Sequence, residues 1–415
     1  MHYRMAFFFA SLLFIIQFVL ADESDIKINP SGFVYYQIGQ IEHQSPAISG
    51  IDKPFDQHVN GRMTLDAVIK EHLRIIIGGE AQLGVNINDE KKNPEFQYIN
   101  LKEAQGIYSF GDPEKSILKI AAGFFPFKYN PEASNLGEYL FRTGSYPGYI
   151  ITDFDFAKAR LMGFNLSSVL FDNLQLNALF TSEYTVSPYF DYSLSFVAGY
   201  KLPSKILGFG AGIDFDRILP IVPSRTTIPS NYALDDSNHV VIENGDTVLY
   251  TMQGTKLMGR VTFDPKPLLP FADIFGEADG KLYAEIAVLG IKNYGTYFDN
   301  ISNRIPIMVG FNIPCFKFMD VLSFELEYYG AKPNLKLDIP TGGNPIPTPF
   351  SGDVTISPIK WSFFGQKALT KGISIKGLIG RDHYRTVDAG DNYDLIEHMN
   401  GVKDWHYNLR LMYSF

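Results

Sequence analysis

The chain has 415 residues, of which 46% are hydrophobic and 20% charged, and its formal net charge at pH 7 is −9. This hydrophobic fraction is ordinary for folded proteins, so the composition argues against a disordered chain. The acidic balance argues against a nucleic-acid-binding protein, whose binding domain is normally basic. Beyond residue 21 no apolar run approaches the roughly 18 residues that a membrane-spanning helix needs, which argues against a helical membrane protein.

The first 21 residues have the composition of an export signal. Arg4 supplies a positive charge, and an apolar stretch follows from Ala6 to Leu20. Val19 and Ala21 occupy the two positions that define a signal-peptidase cleavage site. We therefore expect residues 1–21 to be a cleaved signal peptide, with an uncleaved N-terminal anchor as the alternative. Residues 22–415 show no linker or internal repeat and are predicted to form one domain.

Short segments in which apolar and polar residues alternate follow along the rest of the chain. A period of two is typical of a β-strand with one apolar and one polar face. Residues 207–216 are a clear example, because five apolar side chains alternate there with Gly and Asp. Sixteen strands are predicted, and 14 or 18 stay open because the first, fourth and fourteenth segments alternate weakly. The predicted strands are residues 32–42, 62–70, 73–86, 96–110, 117–127, 156–167, 173–183, 189–201, 206–216, 254–264, 282–291, 304–313, 321–329, 359–366, 372–382 and 402–415.

The connections between these segments alternate in length. Most connections from an even to an odd strand are short, whereas the longest ones lead from an odd to an even strand. This parity is typical of bacterial transmembrane barrels, whose periplasmic turns are short and whose extracellular loops are long. We therefore predict an all-β fold, a transmembrane antiparallel β-barrel. The 17-residue turn PKPLLPFADIFGEADGK is an exception, and we expect it to contain a helical turn.

The long segment that follows the fifth strand is the best candidate for a pore constriction. Residues 128–155 are rich in aromatic residues and Gly, which suits a loop that packs against the barrel wall. The alternative is a loop folded over the barrel rim. Its charged candidates are Glu132, Glu138, Arg142, Asp153 and Asp155, and the basic wall candidates opposite them are Lys158, Arg160, Lys256, Arg260 and Arg410. Neutral residues at Glu138 and Asp153 are expected to shift ion selectivity toward anions.

Strand alternation places further charged side chains on the inner wall. Opposite rows of charge would produce a transverse field that filters solutes. The alternative, which is the more common case for any single side chain, is a solvated lumen residue without a role in selectivity. The further basic candidates are Arg62, Arg74 and Lys376, and the acidic ones are Asp66, Glu80, Asp214, Glu285, Glu325 and Glu327.

The sequence contains no pattern that indicates chemistry. The single cysteine, Cys315, cannot form an intramolecular disulfide and is expected to be a semi-buried thiol in a turn. The eight His residues show no metal-binding spacing. No cofactor loop or nucleophile motif occurs, so neither a metal site, a cofactor nor an enzymatic activity is predicted.

The last residues alternate strictly, with Tyr407, Leu409, Leu411, Tyr413 and Phe415 on one face. Aromatic residues at both ends and leucines between them suit a strand that faces lipid. A terminal Phe after alternating hydrophobic residues resembles the C-terminal targeting signal of bacterial outer-membrane β-barrels, here of the general porin-like class. The resemblance implies a location in the cell outer membrane, contact with its lipids and insertion by the barrel-assembly machinery.

A barrel of about sixteen strands leaves an aqueous channel. We therefore predict a porin-like channel for passive diffusion of small hydrophilic solutes, with a homotrimer as a further expectation for this class. Two alternatives remain open, a substrate-specific outer-membrane transporter and a structural or adhesive surface barrel without channel function.

Overall fold

A computed structural model describes residues 26–43, 55–86, 95–112, 116–142, 159–184, 190–221, 240–243, 246–249, 253–292, 300–329, 336–338, 346–348, 357–384, 399 and 401–415. Within these residues, sixteen strands form a closed antiparallel barrel in chain order, and four short strands form two separate hairpins. The predicted signal peptide, residues 1–21, lies outside the described residues and stays a prediction.

The barrel strands are β1 (Ile26–His43), β2 (Phe55–Ile69), β3 (Leu73–Asn86), β4 (Glu95–Phe110), β5 (Leu118–Phe127), β6 (Ala159–Leu170), β7 (Leu174–Ser182), β8 (Tyr192–Lys201), β9 (Leu207–Leu219), β12 (Gly254–Phe263), β13 (Leu282–Val288), β14 (Ile307–Asn312), β15 (Val321–Tyr328), β18 (Ile359–Ala368), β19 (Ile373–Arg381) and β20 (Trp405–Ser414). The two hairpins consist of β10 (Val240–Glu243) with β11 (Asp246–Leu249), and β16 (Lys336–Asp338) with β17 (Ile346–Thr348).

The all-β barrel and its sixteen strands confirm the prediction, including the three weakly alternating segments, which form β1, β4 and β18. The predicted starts of the first two strands were too late. β1 begins at Ile26 and β2 at Phe55, because the two strands stay paired from Ile26–Ile69 to Gln40–Phe55. Pairing with a neighbour, rather than alternation, therefore sets the length of these strands.

The barrel closes where β1 pairs with β20. At the end of this seam Gly32 and Phe415 exchange two backbone hydrogen bonds of 3.1 and 3.0 Å. A Cβ atom at residue 32 would lie 2.5 Å from the Arg62 carbonyl oxygen and 2.7 Å from the Phe415 ring. Glycine is therefore required at residue 32 for the terminal phenylalanine to close the barrel.

The two ends of the barrel differ in the length of their connections. Residues 70–72, 171–173 and 369–372 are short turns at the end that also holds Phe415. The longest connections, including residues 329–358, join strands at the opposite end. The 264–281 connection is the long exception at the short-turn end, and it contains two 3₁₀ turns, Lys266–Leu268 and Ala272–Ile274. A helical turn was predicted there.

The outer face of the barrel is apolar and the inner face is largely polar. On β20, which lies between β19 and β1, Leu409, Leu411 and Tyr413 are exposed, whereas His406 of the same strand is buried. On β9, Phe209 is exposed while Asp214 is buried. This inversion of the usual arrangement suits a barrel with lipid outside and a polar interior. Among the described residues, no helix is long and apolar enough to cross a membrane.

The barrel interior also contains a packed apolar cluster on one side. It combines inward side chains of β5 to β8 and β12 to β14 with side chains of the segment after β5. Its members include Phe125, Leu161, Leu179, Val197, Met258 and Met308 from the wall. Part of the lumen is therefore filled by protein, and the segment that fills it is the candidate functional site.

Candidate pore constriction

Residues 128–142, which we call the inner loop, leave the end of β5 and return into the barrel. Tyr129, Leu136, Tyr139 and Leu140 of this loop are almost completely buried in the apolar cluster of the wall. The described part of the predicted constriction therefore lies inside the lumen rather than over the rim. Asp153, Asp155 and Lys158 lie outside the described residues, and their placement stays a prediction.

Glu285 of β13 binds the inner loop through four hydrogen bonds. Its Oε1 accepts from the Tyr129 hydroxyl at 2.6 Å and from the Tyr139 backbone N–H at 3.0 Å. Its Oε2 accepts from the Asn130 side-chain amide at 2.8 Å and from the Glu138 N–H at 3.1 Å. Hydrogen bonds to a charged group are stronger than neutral ones, so this one carboxylate is a major anchor of the loop.

Two glutamates of β15 hold the preceding part of the inner loop. Glu325 accepts backbone hydrogen bonds from Ser134, from Asn135 at 2.8 Å and from Leu136 at 2.9 Å. Glu327 accepts from the Gly137 N–H at 3.5 Å. The tip of the loop thus presents six successive N–H groups, from residue 134 to residue 139, to three wall carboxylates. Such runs of N–H groups form anion-binding concavities.

Glu327 also connects the inner loop to the end of β19. Its Oε2 accepts from the Tyr139 hydroxyl at 3.1 Å, and His383 Nε2 lies 2.6 Å from its Oε1. The Tyr329 ring packs edge-on against His383. Because all of these side chains are buried, the loop is fixed to both β15 and the β19 terminus.

The backbone conformation of the loop tip explains why its N–H groups converge. Gly137 and Glu138 both have positive φ angles, +82° and +63°. A Cβ atom at residue 137 would lie 2.8 Å from Met308 Cε and 3.0 Å from Glu285 Oε2. Glycine is therefore needed for the left-handed turn and for the close approach to the wall.

The structure corrects the expected role of Glu138. Its side chain is fully buried and accepts hydrogen bonds from the backbone N–H groups of Tyr129 and Asn130. Burial, together with the nearby charge of Glu285, raises its pKa to about 8. Glu138 therefore does not line the lumen, and a neutral residue there is expected to leave ion selectivity unchanged.

The other charged residues of the inner loop bind neighbouring groups. Glu132 forms a salt bridge with Lys281 at 3.1 Å. Arg142 donates from Nη1 to the Asn135 carbonyl oxygen at 3.0 Å. Its Nε and Nη2 are buried and have no hydrogen-bond partner within the described part of the chain. Both side chains thus support the loop, as well as carrying charge near the lumen.

Arg260 of β12 is the predicted basic wall residue that faces the inner loop. Its guanidinium lies over two glycines, because Cβ atoms at Gly210 and Gly199 would be 2.5 and 3.0 Å from its Nε and Nη2. The negative charges of Glu285 and Glu132 act on it. Burial of the side chain is only partial, so Arg260 contributes positive charge to the lumen beside the loop.

Among the remaining predicted wall residues, Lys256 belongs to a local charge network instead of a basic patch. Lys256 is fully buried, 3.7 Å from Asp214 and 3.5 Å from Asp216. Arg160 of β6 is partly buried, and its backbone carbonyl accepts from the Tyr184 hydroxyl.

Opposite the inner loop, the wall is a dense polar surface. Arg62 pairs with Glu103 at 3.0 Å, Lys102 with Glu80 at 3.3 Å and Arg74 with Asp66 at 2.5 Å. Arg410 donates to Gln37 and stacks on the Tyr35 ring, with its Cζ 3.7 Å from the centroid, and its register partner on β19 is Lys376.

The sequence predicted the position of some of the side chains that anchor the inner loop, but not their contacts with it. Alternation placed Glu285, Glu325 and Glu327 on the inner wall but gave no indication that they bind backbone N–H groups. Tyr129, Tyr139 and His383 were not predicted to take part at all. The available signal was the spacing of Glu325 and Glu327, two acids on one face of a short strand. Across the described residues, no group of His, Cys, Asp or Glu could hold a metal ion.

No protein-family model matches the chain, and no curated protein matches its sequence. Among solved structures, OprB of Pseudomonas putida is similar over 96% of this chain and 96% of that chain, with 10% identity and a TM-score of 0.52. A mutant of Rh. blastica porin aligns over 94% of this chain and 100% of that chain, with 7% identity and a TM-score of 0.43. The closed sixteen-strand barrel and the similarity to OprB show that the chain has a porin-like β-barrel fold.

Proposed function

We propose that this protein is an outer-membrane channel for passive diffusion of small hydrophilic solutes, narrowed by the inner loop. The observation that carries the proposal is the docking of residues 128–142 inside a closed sixteen-strand barrel, on Glu285, Glu325 and Glu327. A barrel of this size leaves an aqueous interior. A loop fixed to one side of that interior sets the width and the charge of the remaining passage.

The charge of the passage depends on which charged side chains are bound by the inner loop and which remain exposed. Three wall carboxylates accept hydrogen bonds from the loop, and Glu138 is buried with a pKa of about 8. Arg260 stays partly exposed beside the loop. We infer that positive charge has the larger influence on solutes at the narrowing, so that anions pass more readily than cations of the same size.

The location and the assembly follow from the same proposal. The apolar outer face contacts outer-membrane lipids, and the alternating end from Tyr407 to Phe415 addresses the chain to the barrel-assembly machinery. Export requires the signal peptide at residues 1–21. A homotrimer is part of the proposal because barrels of this class commonly associate.

Single-channel recording of the refolded protein in a planar bilayer tests the proposal. We expect steady conductance and, in a salt gradient, a reversal potential that shows anion preference. Arg260→Gln should shift this potential toward cations. Arg74→Gln is the matched control, because it removes the same charge from a side chain that pairs with Asp66 next to a short turn.

Three results would contradict the proposal or part of it. A folded barrel without conductance would favour a structural or adhesive surface protein. Conductance that one class of solute blocks at low concentration would favour a substrate-specific transporter. A shift of equal size in the Arg74→Gln control would show that the inner loop and Arg260 do not determine selectivity.

A further inference from the structure

Three neighbouring connections at the short-turn end form one continuous surface, which we call the turn plate. It consists of residues 264–281 between β12 and β13, residues 313–320 between β14 and β15, and residues 367–372, which are the end of β18 and its turn to β19. The first of these is far longer than the other turns at this end. The pore proposal assigns no role to it.

Hydrogen bonds join the three connections into one unit. Asp279 accepts from the backbone N–H groups of Gly276 at 2.8 Å and of Phe316 at 2.9 Å. Lys317 donates to the Asp273 carbonyl oxygen at 2.5 Å, and Lys367 donates to the Lys317 carbonyl oxygen at 2.9 Å. The plate is therefore held in a fixed shape, which reduces the entropy lost when it binds another surface.

The turn plate exposes large apolar side chains that have no covering element among the described residues. Phe318 is 80% exposed, and Leu268, Phe271, Ile274, Phe316 and Leu369 are each about half exposed. The rings of Phe271, Phe275 and Phe316 contact one another in series, with centroid distances of 6.2 and 5.3 Å. Exposed patches of this kind mark contact with a protein or a membrane.

The patch continues the apolar outer face of the barrel. Leu282, Phe311, Phe324 and Phe363 are register partners across β13, β14, β15 and β18. They form a belt on the outer face directly next to the turn plate. An aromatic belt marks the edge of the hydrocarbon layer in barrels, so the plate lies at the level of the lipid headgroups.

Charge on the plate favours no strongly charged partner. Its carboxylates are Asp264, Asp273, Glu277, Asp279 and Asp320, and its ammonium groups are Lys266, Lys281, Lys317, Lys367 and Lys371, so that the two signs balance. Three of the ammonium groups already bind groups of the plate itself: Lys266 binds two backbone carbonyls and Asp264, while Lys317 and Lys367 bind carbonyls of the adjacent connections. Attraction to an anionic partner is therefore weak, and burial of apolar surface is the main driving force.

We propose that the turn plate is a membrane-contact surface that inserts its aromatic and aliphatic side chains into the headgroup layer of the phospholipid leaflet at the short-turn end. The proposal rests on the proposed function in one respect, that the barrel spans a membrane. The partner that the turn plate contacts is a zwitterionic phospholipid interface, because the plate adjoins the lipid-facing belt and carries no net charge. The plate fixes the depth of the barrel on this side.

Tryptophan fluorescence in vesicles tests this assignment. Trp361 and Trp405, the two native tryptophans, are first replaced by phenylalanine, and Phe318→Trp or Phe271→Trp then introduces one probe on the plate. In phosphatidylcholine vesicles the plate probe should lose most of its emission to lipids brominated near the headgroup. It should lose little to lipids brominated near the chain end or to aqueous iodide. Adding anionic phosphatidylglycerol should not change this pattern.

A second probe separates failure of this inference from failure of the proposed function. Phe324→Trp reports from the outer belt of β15, and brominated lipids should quench it whether or not the plate inserts. Quenching of the belt probe, with plate probes open to iodide, would overturn the membrane contact and leave the spanning barrel intact. Absence of quenching at both sites would refute the spanning barrel itself. Unchanged heat-dependent mobility of each variant on a denaturing gel establishes that it is folded.

Discussion

Replacing Glu285 by glutamine should release the inner loop from the barrel wall. The carboxylate accepts four hydrogen bonds from the loop, two at each oxygen. Glutamine keeps one accepting oxygen and brings an NH₂ group to the other position, where it faces two donors. Whichever way the amide is oriented, two loop donors lose their acceptor inside the barrel.

The size of the effect follows from the cost of those losses. A buried donor left without a partner costs about 1–3 kcal/mol. At pH values above about 8, where Glu138 is ionised, relief of its repulsion with Glu285 offsets part of this loss. We therefore expect Glu285→Gln to weaken docking by about 2–4 kcal/mol, which changes the ratio of docked to undocked loop by roughly 30- to 700-fold.

Single-channel recording measures the consequence directly. An undocked loop no longer narrows the passage in a fixed way, so the variant should show a changed mean conductance and much greater open-channel noise. Glu103→Gln is the matched control, because Glu103 is a wall carboxylate that pairs with Arg62 and not with the loop. Conductance and noise equal to those of the parent protein in Glu285→Gln would refute the anchoring role of this carboxylate.

Two further predictions concern the inner loop, and a third concerns Cys315 in the 313–320 turn. The docked loop raises the pKa of Glu138 from its ordinary 4.5 to about 8, so docking should be strongest below pH 4.5 and weaken as the pH rises to about 8. Glu138→Gln should remove this component of the pH dependence of open-channel noise. An unchanged slope of noise against pH in this variant would contradict the prediction. Gly137→Ala should weaken docking of the loop by about 1–3 kcal/mol because it strains a left-handed backbone, and single-channel conductance should change. Gly377→Ala is the control and should behave like the parent protein, because a Cβ atom at residue 377 would have no neighbouring atom within 4 Å. Burial and the nearby Asp279 raise the pKa of the Cys315 thiol, so labelling by a thiol reagent in the folded protein should be slow at neutral pH and accelerate as the pH rises; rapid labelling at pH 7 would count against this.

Prediction of the barrel from the sequence succeeded because lipid and lumen impose a period of two on every strand. Where that period is weak, as in β4, the strand was still found, because an even number of strands and alternating connections require it. The start of β2 at Phe55 was missed, since the polar residues after it pair with β1 without showing a clear alternation. Local pattern identifies a strand well, but partner strands decide where it ends.

Prediction of the site was less complete. Alternation placed Glu285, Glu325 and Glu327 on the inner wall, and composition indicated the segment after β5. Neither could join them, because the loop tip and β15 are separated by about 190 residues. The burial of Glu138 was also missed, since a charged residue in a loop is ordinarily solvated.

The sequence by itself determined the class of this protein. Alternation from β1 to Phe415, without a long apolar run, requires a sheet that is apolar outside and polar inside, and closure removes its edges. Only the tertiary structure decided how the interior is used. Three glutamates of β13 and β15, which are distant in sequence from the inner loop, meet six consecutive N–H groups of that loop, and an apolar cluster forms inside the lumen. These contacts depend on strands brought together by barrel closure, which a pattern with a period of two residues does not record.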